Sequence, residues 1–127
     1  MTMASKRLLR DERAIATVEF ALYSTVFLAM MFGGIYMSIL GYTSASLHSA
    51  VESAARCRAL GTTCTNAATT ITYATSKFEN MTGSTPTFTS TTAACGNQVT
   101  GTVSYRINWF ISTSTIPLSA TSCFATQ

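Results

Sequence analysis

The residues able to do chemistry are few, and their spacing limits what they can do. Cysteines stand at 57, 64, 95 and 123, the only histidine is His48, the only aspartate is Asp11, and the glutamates are Glu12, Glu19, Glu52 and Glu79. A hydrolase needs a nucleophile, a base and a carboxylate or metal gathered in one pocket. This chain does not carry the parts, so no catalytic residue, no enzymatic activity, no cofactor and no small-molecule substrate are expected. With no C-x-x-C pair and one histidine, the cysteines do not read as a zinc site, and no metal is expected. Gly33-Gly34 falls inside an apolar run, which excludes a phosphate-binding glycine loop there. The Asn80-Met81-Thr82 sequon is read as chance.

The elements that position these residues begin with a membrane span. Hydrophobic residues make up 47% of the 127-residue chain and charged residues only 10%, less than half the share in an average soluble domain. No charged side chain occurs between Phe20 and Leu47, and the most apolar part runs from Phe20 to Tyr42. At helical rise this part covers about 35 Å, enough for a hydrocarbon core of about 30 Å. Four of the eight basic residues, Lys6, Arg7, Arg10 and Arg13, precede it, and the next are Arg56 and Arg58. The imbalance predicts a cytoplasmic N-terminus and export of everything after Tyr42. A basic excess confined to a leader is a topology signal and not a nucleic-acid surface. Thr43-Ser44-Ala45 offers a signal-peptidase site, but the apolar run is too long for a removed signal, and Glu19 stands directly before it. His48, in the first turns past the span, reads as an interfacial residue.

Beyond the span, Thr43 to Leu60 is rich in Ala and Leu and free of Pro and Gly, so the helix is expected to continue to a stop at Gly61. Leu47, Val51, Ala54 and Arg58 form its stripe. From Gly61 on, 19 Thr and 8 Ser among few charges favour strands. Ala67 to Glu79 is ambiguous between helix and strand. The clearest strand is Gln98 to Ser112, with Val99, Val103, Tyr105, Ile107, Trp109 and Ile111 on one parity and Gly101 read as a bulge. A last extended piece is expected at Leu118 to Phe124, after Pro117. So small a sheet needs a cover, and the extension Thr43 to Leu60 is available. The cysteines all lie on the exported side, where disulfides form. Three pairings are possible; the preferred one joins Cys57 with Cys64 and Cys95 with Cys123. The expected fold is α+β: a cytoplasmic leader (1–14), a transmembrane helix (15–42), a helical extension (43–60) and a small, disulfide-stapled, Ser/Thr-rich β domain (61–127).

Glu19 is the sharpest single feature, because a carboxylate at the edge of an apolar helix is costly and implies a partner. Around it, an Arg-rich leader, Arg13, Ala14, Ile15 to Val18, then Glu19-Phe20-Ala21-Leu22 and a long apolar helix resemble the N-terminus of type IV-type prepilins, most closely the TadE/TadG-like pilus-assembly family. The resemblance covers Arg10 to Tyr36. It implies a minor pilin or pseudopilin of the tight-adherence pilus system in a bacterial inner membrane. A prepilin peptidase would then cut between Ala14 and Ile15, and Glu19 and Phe20 would serve assembly with other pilins. Ala14 stands where the family has Gly. Independently of the family, Ala21, Thr25, Ala29 and Gly33 recur every four residues, with Gly41 two steps on, and would let helices approach closely in lipid. The alternative is a permanently anchored periplasmic binding or structural module that never enters a pilus.

Overall fold

The computed structural model describes residues 12–79, 81–108 and 112–125, with side chains from Ile15 onward. Lys6, Arg7, Arg10, Asp11, Asn80, Trp109, Phe110 and Ile111 therefore lie outside the described residues, and for Arg13 and Ala14 only a helical backbone is described. The chain divides into two compact units, Met1–Ser38 and Ile39–Gln127. The first helix, α1 (Glu12–Leu60), contributes to both. Within the first unit its apolar side chains point outward: Phe20 is 74% exposed and Met30 73%. Ile15–Leu60 is long and apolar enough to cross a membrane, as a span must be.

The second, outer unit adds α2 (Ala67–Lys77) and the strands β1 (Thr87–Ala93), β2 (Gly96–Asn108) and β3 (Thr113–Phe124) to the end of α1. The ambiguous stretch after Asn66 is thus helical. It is rich in β-branched residues, but Asn66 caps it: its Oδ1 accepts the Thr69 amide at 2.8 Å, and the Thr69 hydroxyl accepts the Asn66 amide at 3.2 Å. Threonines are tolerated inside α2 because their hydroxyls bond back to the preceding turn, as Thr70 does to the Asn66 carbonyl at 2.7 Å. Gly61, at φ 63°, ends α1 as its sequence position implies, its amide bonding the Cys57 carbonyl at 3.2 Å.

The three strands form one antiparallel sheet in chain order, β2 central. β1 faces only the first part of β2, from Ala93↔Gly96 to Thr87↔Thr102, whereas β3 follows β2 from Asn97↔Phe124 to Asn108↔Thr113. The hairpin between β1 and β2 turns through Ala94 and Cys95 into Gly96, whose φ of 116° suits only glycine. β3 begins at Thr113, earlier than the expected Leu118, and contains Pro117 opposite Ser104. An edge strand allows this, because the missing N–H can face away from the ladder.

The inner face of the sheet packs on the outer part of α1. Leu47, Ala50, Val51, Ala54 and Ala55 from the helix, Ala74 from α2, and Phe88, Val99, Val103 and Ala120 from the strands form one buried cluster. Alanines on α1 bring helix and sheet close. The same closeness corrects the reading of Gly101. It is not a bulge, since the register runs unbroken through Phe88↔Gly101↔Ala120. A Cβ built there would lie 2.7 Å from the Phe88 ring and 2.9 Å from Val51 Cγ2, so glycine makes room for both side chains. Gly101→Ala is accordingly expected to destabilise the outer unit by about 1–3 kcal/mol through overpacking. Urea unfolding of the full chain in detergent measures this, and Phe88→Leu in the same chain should recover part of the loss. If Gly101→Ala alone costs nothing, the close approach is wrong.

Both preferred disulfides form: Cys57–Cys64 with Cα atoms 5.5 Å apart, and Cys95–Cys123 with 6.2 Å. The first ties the end of α1 to the loop before α2, and the second ties the β1–β2 turn to the end of β3.

Candidate functional site

The inner part of α1 presents its candidate residues along an unbroken helix. Glu19 and Phe20 lie exposed in its early turns, and Ala21, Thr25, Ala29 and Gly33 follow along one row of four-residue steps. Nothing lies within 4 Å of a Cβ built at Gly33 or Gly41, so the row is open. The polar groups beside it are satisfied within the helix, since the Thr25 hydroxyl donates to the Leu22 carbonyl and the Ser38 hydroxyl to the Gly34 carbonyl, each at 2.8 Å. Hydroxyls bonded in this way add little to the cost of burial in lipid.

In the outer unit the polar side chains hold elements together. The Tyr42 hydroxyl donates to Glu79 Oε2 at 3.2 Å, and the Glu79 amide donates to the Ser46 hydroxyl at 2.9 Å, fastening the end of α2 to α1. Arg56 pairs with Glu52 at 2.6 Å and stacks its guanidinium 5.2 Å from the Phe124 ring centre, holding the end of β3. Phe78 meets Phe88 edge-on at 6.3 Å. Arg58, the last residue of the sequence stripe, is half-buried, and its Nη1 has no hydrogen-bond partner among the described residues. His48 is exposed beside Glu52 and residues 121–124 of β3. Among the described residues no three His, Cys, Asp or Glu side chains come together as metal ligands. All four cysteines are bonded in pairs.

The sheet's outer face is a field of hydroxyls. Thr89, Thr100 and Thr121 align across the three strands, the last two with hydroxyls 3.2 Å apart. The sequence reading did not single out this face, although Thr87, Thr89 and Thr91 already alternate along β1. It also did not single out Arg106, exposed on the same face beyond the reach of β1.

The boundary between these two kinds of surface falls inside α1, and the comparison with known proteins falls on that same helix. Residues 14–56 match the TadE-like protein family. The TadE-like segment is about a third of the chain. It starts at Ala14, includes Glu19, Phe20 and the small-residue row, and runs through Leu47, Val51, Ala54 and Ala55 to Arg56. It therefore covers both the apolar helix and the helical side of the outer core. No curated protein and no solved structure matches the chain. The TadE-like match supports a pilin-like role associated with pilus assembly, and its one long apolar helix has the character of a membrane anchor.

Proposed function

We propose that this chain is a bitopic, pilin-like component of tight-adherence pilus assembly, a minor pilin or pseudopilin of a bacterial inner membrane. Its leader is cytoplasmic, its outer unit periplasmic, and it acts through helix–helix and outer-unit protein contacts, not as an enzyme. The observation that carries this is the TadE-like segment itself, in which one continuous helix bears Glu19 and an open small-residue row at one end and the outer core at the other. A helix smooth along Ala21, Thr25, Ala29 and Gly33 can lie against another at short distance, and in lipid such packing drives association.

In this reading a prepilin peptidase cuts between Ala14 and Ile15, and Glu19 becomes the fifth residue of the mature chain. Co-expression with a cognate peptidase should yield a chain beginning at Ile15, read by N-terminal sequencing. A start at Met1 or Thr2 would favour a fixed anchor, and a start at Ser46 a secreted protein. Ala14→Gly is expected to speed the cut, because glycine leaves the scissile backbone more open. An unchanged rate would count against Ala14 as the site.

A further inference from the structure

We propose that the edge of β2 from Val103 to Asn108 is a strand-binding slot, which takes an extended peptide segment of a partner protein as an added strand. β2 has thirteen residues and is central, yet β1 pairs only as far as Thr102. Pro86, which has no N–H to donate, stands immediately before β1, and the pairing stops there. Residues 82–85 lie outside the β1–β2 ladder, and a cavity of about 590 Å³ is lined by residues 82–85 and Thr87 together with residues 102–106 and Asn108 of β2. Among the described residues, the β2 backbone from Val103 to Asn108 has a ladder partner only in β3.

Three features fit an extended polypeptide. The open edge is six residues long, about 20 Å at strand rise, and it offers a row of main-chain groups that only another backbone satisfies in register. Its alternation is already set, with Val103 and Tyr105 facing the core and Ser104, Arg106 and Asn108 facing solvent. The incoming segment would thus carry apolar residues on one parity and polar ones on the other. Arg106 is exposed and has no ion-pair partner among the described residues, so an acidic side chain opposite it would be matched across the strands. The other free edge, β3, is a poorer template because Pro117 interrupts its donors. α2 packs beside β1 on the remaining side.

The proposal rests on the assembly reading only for the source of the segment, another subunit of the assembly. Its test uses the full chain in detergent micelles and the blocked hexapeptide acetyl-Thr-Val-Glu-Val-Thr-Val-amide. Saturable binding is expected, with slowed hydrogen exchange at alternate amides between Val103 and Asn108. A peptide N-methylated at alternate residues should not bind. Arg106→Gln should weaken the glutamate peptide about threefold and leave its glutamine counterpart unchanged. Absence of saturable binding, equal binding of the N-methylated peptide, or protection along β3 would each overturn the slot. A chain that starts at Ile15 yet ignores the peptide would refute the slot and leave the assembly reading standing; a chain that binds the peptide yet keeps its leader would do the reverse.

Discussion

Glu19→Gln is expected to lower association of this chain with pilin-like partners by about two orders of magnitude or more, while insertion and leader removal continue. As the prepilin resemblance implies, we propose that Glu19 pairs with the α-amino group freed at Ile15 of a neighbouring subunit. In hydrocarbon each charge is tolerable only beside the other, and the pair fixes the axial register of the two helices. An amide keeps the shape of the side chain and loses its charge, so the amine is left without a counter-ion. Removing one partner of a buried pair costs about 3–5 kcal/mol, and each 1.4 kcal/mol is about a factor of ten in affinity. Single cysteines at Ala21 or Thr25, with the four native cysteines replaced by serine, would report helix proximity by crosslinking in membranes. Equal yields with and without the substitution would sink the pairing and place Glu19 at headgroup depth, where its charge suits the N-terminal end of the helix dipole.

Loss of the disulfides should be nearly as consequential for the outer unit. Among the described residues its largest fully buried side chains are Leu47, Val51 and Val99, and four of the other buried core positions on the helices are alanines. Cys57–Cys64 spans 7 residues and Cys95–Cys123 spans 28. By loop-closure entropy these constraints are worth about 2 and about 3.5 kcal/mol, together comparable to the whole stability of a small domain. Replacing Cys95 and Cys123 with serine is expected to lower Tm by about 15–25 °C, taking about 4–8 °C per kcal/mol for a unit of this size. Near-UV circular dichroism of the full chain in detergent reads the transition. A shift of only a few degrees would mean that the sheet does not depend on the bridge.

The helix and the covering of the sheet by α1 were legible because each rests on a strong local signal: an uncharged run of span length, and Leu47, Val51 and Ala54 at helical spacing. The four cysteines left three pairings open, and the preferred one, Cys57 with Cys64 and Cys95 with Cys123, is the one that forms. Elsewhere the signals conflicted. AATTITYATSK has strand composition, and only the Asn66–Thr69 capping box, with Thr in place of the usual Glu, marks it as a helix start. β1 was hard to see because Phe88 is its only large apolar residue, and Ser90 and Thr92, which share its parity, carry no hydrophobic alternation. At Gly101 the sequence shows a missing side chain but not the Phe88 ring and Val51 methyl that require the gap. Glu19 and the small-residue row were visible as a pattern, and the TadE-like match spans them. The slot beside β2 was not visible, since it depends on where β1 stops pairing.

The outer end of α1 is held by Thr43, Leu47, Ala50, Val51, Ala54 and Ala55, all buried and spread over more than three helical turns, with a covalent bridge just beyond them at Cys57. Pulled along its axis, this stretch of helix cannot be peeled away one contact at a time; it must slide past its neighbours, and successive turns resist together. Once displaced, the chain between Cys57 and Cys64 still cannot lengthen. Within the second unit the helix is thus joined to the sheet as a mechanical joint, which oxidation of the Cys57–Cys64 pair tightens and a reductant loosens.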